Sequence, residues 1–348
     1  MNEKKTIRVA INGLGRIGRA FLKLAYKKSE IEIVAINDLS DINNLAYLIK
    51  YDSAYGRAQI SAEAKTGSLI IDGRSIVYLS EKDPEKLPWQ SLGIDVVVES
   101  TGFFSSPEKA AVHLKAGAKR VVVSAPFEGH HENGDGKKDT ILMGINESDL
   151  EGCLISSNAS CTTNAVSPVM QILEEKIGIE KAILSTVHAY TSSQRLVDSP
   201  DEKDWRRGRA GSVNIIPSTT GAAVAVTKAI PALDQKFDGI ALRVPIITGS
   251  LADITFITKR NTTKEEINDI LEKASIETRW QNILKITHDQ IVSSDIIGDT
   301  HAAIVDVAFT KVVGGNLCKV LSWYDNEMGY TSTLVDHVIL AGRLTQKI

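Results

Sequence analysis

A run of strand-forming residues, TIRVAIN, leads straight into Gly13, Gly15 and Gly18, spaced as G-x-G-x-x-G, and a helical pattern begins at Arg16 and continues to about Lys27. In such a turn the first glycine permits the tight bend, the second lets a pyrophosphate approach the backbone, and the third lets helix and strand pack closely. The helix N-terminus then brings partial positive charge to the anion. A second strand, IEIVAIND, ends on Asp38, twenty residues beyond Gly18. An acid at that distance accepts hydrogen bonds from an adenosine ribose and repels a 2′-phosphate, and Leu39 behind it supplies no cation. The pattern predicts a dinucleotide site that takes NAD in preference to NADP.

The alternation of strand and helix continues. A helical pattern near Asn43 to Lys50 is followed by hairpin signals at Gly67 and Asp72-Gly73, then IDVVVES, a helix near Pro107 to Ala116, and KRVVVSAP. This is the rhythm of an α/β fold, a doubly wound (Rossmann) parallel sheet. From Cys161 to about Lys176 the spacing of Val166, Val169, Met170, Leu173 and Ile177 is helical. Beyond it KAILSTVHAY, IALRVPIIT, LADITFITK, AAIVDVAFTKV and CKVLSWYD read as strands, with helices near 264–275 and from about Glu327 to Leu344. The second part is therefore expected to be an α+β domain with a mostly antiparallel sheet, and 348 residues suit two domains.

A formal net charge of −3, from 40 basic and 43 acidic residues, is too mild to favour a nucleic-acid or membrane-surface partner. The opening MNEKKTIRVAING lacks the apolar core and cleavage site of a secretory signal, and no stretch of about 18 apolar residues occurs. Cys153, Cys161 and Cys318 are odd in number and widely spaced, which fits neither a disulfide framework nor a zinc knuckle. A cytoplasmic protein is expected. The polar stretch EGHHENGDGKKD, residues 128–139, reads as a solvated loop, and no ligand spacing supports a metal at His130 and His131.

Chemistry concentrates in SSNASCTTNAVS, where Cys161 stands between a strand-like run and a helix among Ser160, Thr162, Thr163 and Asn164. A helix N-terminus stabilises a thiolate, so the thiol's pKa is expected to fall. Cys153 and Cys318 lie in apolar, strand-like contexts and read as inert core thiols. His188, at the end of KAILSTVH, can project into a cleft, whereas His113, His288, His301 and His337 read as ordinary surface or partly buried residues. The aperiodic segment from Thr191 to Gly211 is long for a structureless connection, which suggests function.

NGLGRIGR, SNASCTTN, STVHAYT, GAAVAVTKAIPAL, RVP and SWYDNEMGY, in this order between Ile7 and about Val335, resemble the glyceraldehyde-3-phosphate dehydrogenase family. The resemblance implies an enzyme that turns glyceraldehyde 3-phosphate, NAD and inorganic phosphate into an acyl phosphate and NADH, with Cys161 as nucleophile and His188 as base. It implies a NAD-binding domain of residues 1–160 plus 327–348, and a catalytic domain of residues 161–326. Thr191 and Arg243 would hold the substrate's own phosphate, and Ser160, Thr162, Thr220, Gly221 and Arg209 the attacking phosphate. Cofactor contacts would fall on Gly13, Gly15, Arg16, Ile17, Gly18, Asp38, Lys82, Thr101, Gly102, Ser124 and Asn326, the last as anchor of the nicotinamide carboxamide. The segment Thr191–Gly211 resembles one that packs on a neighbouring subunit, which implies a homotetramer.

Some positions depart from the family's common pattern. Ala165 stands where a second cysteine is frequent, so an oxidised Cys161 has no partner there and should be trapped as a sulfenic acid or mixed disulfide. Lys82 replaces a frequent arginine, which removes planar stacking on adenine. VPIITGS follows Arg243 in place of VPTPNVS, residues 128–139 look inserted, and Pro200 after Ser199 keeps NAD ahead of NADP together with Asp38. Two rivals remain: an erythrose-4-phosphate dehydrogenase, against which the TTG segment speaks, and a non-catalytic dinucleotide-sensing or RNA-binding protein using the basic WRRGR segment.

Overall fold

The structure, a computed structural model, describes residues 6–127, 139–202 and 204–346. The chain forms two compact units, Met1–Ala159 with Thr331–Ile348, and Ser160–Tyr330. His130 and His131 lie outside the described residues.

The first unit opens with β1 (Ile7–Asn12), α1 (Arg16–Ala25), β2 (Ile31–Asn37) and α2 (Ile42–Lys50). A small ribbon of β3 (Tyr51–Asp52) and β4 (Gly56–Arg57) precedes an antiparallel meander of β5 (Ala62–Lys65), β6 (Ser68–Ile71) and β7 (Arg74–Leu79). β8 (Val96–Glu99), the short helices α3 (Pro107–Ala110) and α4 (Val112–Lys115), β9 (Arg120–Val123) and β10 (Ile155–Ser157) complete it. The expected single helix over 107–116 is thus two separate turns.

The sheet order is β10-β9-β8-β1-β2-β7-β6-β5, and all pairs from β10 to β7 are parallel. β8 and β9, VVVE and RVVV, are buried along their whole length, as expected of central parallel strands covered on both faces. With β2 on one side of β1 and β8 on the other, the order reverses at β1. The crevice beyond the carboxyl ends there is where such sheets bind ligands.

A buried polar chain ties these strand ends together. Glu99, the last residue of β8 and 2% exposed, accepts at Oε2 from Asn12 Nδ2 (2.6 Å) and His113 Nε2 (2.9 Å). At Oε1 it accepts from the N–H (2.8 Å) and hydroxyl of Thr101. Trp89 Nε1–H points at His113 Nδ1 (3.2 Å), so Nδ1 is the acceptor and the ring's proton sits on Nε2, towards Glu99. Asn12 continues the chain to Asn37 (2.8 Å), which grips the N–H and carbonyl of Glu81. His113, read from the sequence as a surface or partly buried residue, is therefore fully buried, because α4 turns it inward onto this carboxylate.

The second unit comprises α5 (Cys161–Lys176), β11 (Ile179–Ala189), β12 (Ile216–Thr219), α6 (Ala222–Ala229), β13 (Phe237–Val244), β14 (Ser250–Thr258), α7 (Lys264–Ser275), β15 (Leu284–Thr287), β16 (Ala303–Val313) and β17 (Leu317–Tyr324). Its sheet, β12-β13-β11-β14-β17-β16-β15, is antiparallel except for the β11–β13 and β15–β16 pairs. Strict alternation in β14 and β17 buries Ala252, Ile254, Phe256, Val320, Ser322 and Tyr324 on one face. The opposite face leaves Ile183, Ile240 and Leu317 exposed.

The chain then runs through α8 (Met328–Thr345), with its residues from Thr331 in the first unit. His337 on this helix is also fully buried, deeper than the surface or partly buried place read for it from the sequence. Its Nε2 meets Ser156 Oγ (2.9 Å) and its Nδ1 meets Asn158 Oδ1 (3.1 Å), and burial pulls the imidazole down to about 3. Cys153 is buried beside a 3₁₀ turn, not in a strand, and Cys318 lies buried in β17. Among the described residues no helix is long and apolar enough to cross a membrane.

Candidate active site

The three glycines do three different things. Gly13 has φ +95°, and a Cβ there would meet the Ser100 carbonyl carbon and Thr101 nitrogen at 2.8 Å; one on Gly18 would lie 2.1 Å from the Gly13 carbonyl oxygen. Around Gly15 there is open space. The close approaches fix the turn, and the opening leaves room for a pyrophosphate over the first turn of α1. Beside it lies a cavity of about 460 Å³ lined by Asn12, Gly13, Gly15, Asn37, Asp38, Leu39, Glu81, Lys82, Pro84, Ser100, Thr101, Phe103 and Phe104.

Asp38 accepts from Leu14 N–H at Oδ2 (2.6 Å) and from Ser40 N–H at Oδ1 (2.9 Å), which fixes the carboxylate at the cavity wall. The guanidinium of Arg16 is committed to Asp52 (3.0 Å to each oxygen), so what Arg16 and Ile17 offer a ligand is backbone N–H at the helix start. Gly102 follows Thr101 with φ +78°. Ser124, just past β9, donates its N–H to the Glu99 carbonyl (2.9 Å) and does not line the cavity.

Glu99 holds the Thr101 wall of this cavity, and only a carboxylate offers enough lone pairs for its four donors. Glu99→Gln must leave at least one buried donor facing an amide N–H. The variant is expected to weaken NAD binding about tenfold with kcat at saturating NAD within about twofold, since an unmet buried donor costs roughly 1–3 kcal/mol. Titration of the variant with NAD checks this, and an unchanged dissociation constant would sink it.

In the second unit Ser160 caps α5 by accepting from Thr163 N–H (3.1 Å), so Cys161 begins a 16-residue helix. Parallel pairing sets His188 of β11 opposite Arg243 of β13. Cys161 Sγ is 3.3 Å from His188 Nε2, and Arg243 Nη1 is 2.7 Å from His188 Nδ1. Tyr324 stands edge-on to the imidazole at 5.9 Å, its hydroxyl held by Thr162 Oγ1 (2.9 Å) and Thr186 Oγ1 (2.7 Å). Asn326 Oδ1 accepts from Thr248, Gly249 and Ser250 at 3.0–3.3 Å, which fixes the orientation of its amide.

Electrostatics differ from the expectation in one respect. Burial pushes the Cys161 thiol up from its ordinary value; the charge of Arg243 and the hydroxyl and N–H of Thr162 pull the other way. The helix N-terminus alone does not make a resting thiolate. Burial, then the charge of Arg243, lowers the His188 imidazole to about 3. At 3.3 Å, Cys161 Sγ and His188 Nε2 are placed to exchange a proton directly.

Arg209 is not part of this cluster: its guanidinium pairs with Asp198 (2.8 Å) and is 62% exposed. Its neighbour Arg207 is half-buried and reaches Ser218 Oγ (3.5 Å). Thr191 gives its N–H to Gln194 Oε1 (2.8 Å) and its hydroxyl contacts Ser193 (2.9 Å). Thr220 Oγ1 accepts from Ala222 N–H (3.2 Å), and Gly221 caps α6.

A sequence model described as the NAD binding domain of glyceraldehyde 3-phosphate dehydrogenase matches residues 7–107, and one described as the C-terminal domain of that enzyme matches residues 160–326. The chain belongs to the glyceraldehyde-3-phosphate dehydrogenase family. The dehydrogenase of that name from Thermotoga maritima is 49% identical over 333 residues, covering 94% of this chain and 97% of the relative. That from Clostridium pasteurianum is 47% identical over 333 residues (94% and 96%), and that from Geobacillus stearothermophilus 44% over 332 residues (95% and 96%).

For a glyceraldehyde-3-phosphate dehydrogenase, the residues missed by sequence reasoning are Glu99, Arg207 and Tyr324. Tyr324 was legible in principle, because period two in LCKVLSWY puts it on the same face as Cys318, Val320 and Ser322. Arg207 was not: it lies in a 3₁₀ turn, Trp205–Gly208, where no periodicity tells inward from outward.

Proposed function

We propose that this chain oxidises glyceraldehyde 3-phosphate with NAD and inorganic phosphate to 1,3-bisphosphoglycerate and NADH through a thioester on Cys161. The observation that carries the reading is the Cys161–His188 pair at 3.3 Å with the guanidinium of Arg243 against the same imidazole. A thiol with a base is a nucleophile, and a guanidinium beside it suits a phosphorylated reactant.

His188 Nε2 takes the thiol proton as sulfur bonds to the aldehyde carbon and passes it to the aldehyde oxygen, giving a thiohemiacetal whose hydroxyl proton the same nitrogen removes in the oxidation. Bound NAD supplies the hydride acceptor for that oxidation. Phosphate then attacks the resulting thioester; the tetrahedral oxyanion is met by the Cys161 N–H, and the C–S bond breaks with a proton returned to sulfur from His188. Thr191 and Arg243 hold the substrate's phosphate, and Ser160, Thr162, Thr220 and Gly221 attract the attacking one; Arg209, paired with Asp198 in the structure, keeps its place among these contacts on resemblance. The cavity with an open Gly15 fits NAD: Gly13, Gly18 and the N–H groups of Arg16 and Ile17 suit its pyrophosphate, Asp38 its ribose, and Lys82, Thr101 and Gly102 its adenosine half, while Asn326 as carboxamide anchor rests on resemblance. Ser124 remains a cofactor contact only on resemblance.

The division into residues 1–160 with 327–348 for cofactor and 161–326 for catalysis is part of the same proposal, as is function in a reducing cytoplasm, where Cys161 stays a thiol. A homotetramer is supported by exposed Leu196, Val197, Trp205, Val213 and Ile215, five apolar side chains in one segment, and by the apolar outer face of the second sheet. Trp205, 84% exposed, is the sharpest probe. Trp205→Asp is expected to shift the assembly to smaller species in sedimentation velocity; an unaltered distribution would remove this segment from the interface.

The test of the function is NADH absorbance with glyceraldehyde 3-phosphate, NAD and phosphate, beside parallel runs with NADP and with erythrose 4-phosphate. Phosphate-dependent turnover favouring the three-carbon substrate and NAD supports the reading. Faster turnover of erythrose 4-phosphate would hand it to that rival, and no turnover by folded, reduced protein would sink it.

A further inference from the structure

Among the described residues of the second unit, two buried side-chain nitrogens lack a hydrogen-bond partner, Arg243 Nε and Gln194 Nε2. A buried donor left unmet costs free energy, so each asks for an acceptor that arrives from outside the chain. The two belong to one course of the backbone. Arg243 Nη1 donates to the Ala189 carbonyl (3.2 Å), Tyr190 N–H donates to the Ile246 carbonyl (3.2 Å), and the turn from Thr191 to Gln194 comes next. Gln194 is 9% exposed although it stands at the start of an aperiodic segment.

Thr191 and Gly211 fix this side chain. The Gln194 N–H donates to the Thr191 carbonyl (2.9 Å), and Gln194 Oε1 accepts from the Thr191 N–H (2.8 Å) and hydroxyl (3.2 Å). Only the oxygen of the amide can take a backbone N–H, so the orientation is settled and Nε2 is the atom left over. Gly211 N–H donates to the Arg195 carbonyl (2.8 Å), and a Cβ on Gly211 would lie 3.0 Å from Gln194 Cβ. The glycine therefore lets the chain press onto Gln194 and keep bulk water from it. Nε2, one amide width from the atom that grips Thr191, has two N–H groups that no described residue takes.

We propose that the Gln194 amide belongs to the seat of the substrate's own phosphate, its oxygen holding Thr191 in position and its N–H donating to a phosphate oxygen, so that Gln194 selects the phosphorylated aldehyde over its unphosphorylated counterpart. The proposal rests on the reading of Thr191 and Arg243 as holders of that phosphate. A phosphate monoester brings three strong acceptor oxygens, enough for the Thr191 hydroxyl, the Arg243 guanidinium and the Gln194 amide together. With Ser193 Oγ 2.9 Å away to supply a donor, the Thr191 hydroxyl turns its proton from Gln194 Oε1 to the ligand, while the Thr191 N–H keeps the amide in place. A second cation here would repel the Arg243 guanidinium. A neutral amide adds donors without that repulsion.

Gln194→Glu keeps an oxygen for Thr191 and puts a carboxylate oxygen where the N–H groups stood. Steady-state NADH formation by full-length protein is compared between wild type and variant for glyceraldehyde 3-phosphate and for unphosphorylated glyceraldehyde. The expected result is a KM for the phosphorylated aldehyde raised at least about a hundredfold, since a donor to a charged group is lost and a like charge replaces it. With glyceraldehyde, which has no phosphate to seat, kcat/KM should fall less than about threefold, as the loss of a phosphate contact alone requires. Equal losses with both aldehydes would give Gln194 a purely structural part, and a KM raised for inorganic phosphate alone would assign Nε2 to the attacking phosphate; either overturns the proposal, as does an unchanged KM. Binding of glycerol 3-phosphate, which has no aldehyde to oxidise, is read without turnover from its ³¹P line: wild type should bind it and Gln194→Glu should not. No binding by wild type would defeat the reading of Thr191 and Arg243 as phosphate holders, and this proposal with it, whereas equal binding by both proteins would defeat this proposal alone. If the glutamate variant does not fold, Gln194→Met, similar in length and without a donor, makes both comparisons, with a KM for the phosphorylated aldehyde raised roughly tenfold.

Discussion

Cys161→Ser is expected to lower phosphate-dependent NADH formation by at least about a thousandfold, because the hydroxyl is a far weaker acid than the thiol and the energy-rich thioester cannot form. NAD binding should be unchanged within about twofold, as an effect confined to the chemical step requires, because Cys161 takes no part in the cavity lined by Gly13, Gly15 and Asp38. The half-buried position of the side chain at the start of α5 gives the exchange little steric consequence, so melting temperature should hardly move. Stopped-flow absorbance at 340 nm, with enzyme in substrate-like amounts, checks both turnover and any single burst. A burst of NADH equal to the enzyme concentration in the variant would mean that another group carries the acyl chain.

His188→Asn comes next in size, with kcat expected to fall roughly 10²–10⁴-fold, the range for loss of a positioned acid–base group. The pH dependence should change as well as the rate. Because burial raises the Cys161 thiol and His188 is the group that takes its proton, the variant must wait for bulk hydroxide. Its alkylation by iodoacetamide should therefore climb with pH across the range above the ordinary thiol value, where the wild type is already reactive. Asparagine keeps a polar group against the Ala189 carbonyl, so a rate loss without a loss of stability is the expected pairing. A variant with unaltered pH dependence would show that His188 does not handle this proton.

The cofactor half was legible because its signals are local. Gly13, Gly15, Gly18 and Asp38 each express a demand made within one βαβ unit, and the structure gives each glycine a distinct steric reason. Cys161 and His188 were legible as element ends, but their 3.3 Å meeting depends on packing between α5 and β11 that no local pattern encodes. The thiol's ionisation was misjudged for the same reason: a helix N-terminus can be read along the chain, whereas desolvation is a property of the assembled site. Likewise His113 and His337 looked ordinary because their partners, Glu99 and Trp89 for one and Ser156 and Asn158 for the other, are distant in sequence. Where Arg209 and its neighbour Arg207 point could not be read, because the path of an aperiodic segment sends adjacent side chains to different partners, Asp198 for one and Ser218 for the other.

His188 and Arg243 meet because β11 and β13 run parallel in a register that puts them side by side on the inward face. Side chains in a strand alternate, so deleting one residue between Ile179 and His188 would turn the imidazole outward while the helix bearing Cys161 stayed put. Deleting two restores the face and misplaces the ring by one pleat, roughly 7 Å along the strand. Within this strand the family's length variation should therefore be close to zero, whatever its side-chain variation. The two-residue turn between Lys65 and Ser68, by contrast, joins strands that contribute nothing to the Cys161 cluster, and inserted residues there have solvent to enter. A library of single-residue insertions would sort these segments by survival alone, and the boundary of the intolerant stretch would trace the catalytic register from growth counts, without any assay of the enzyme.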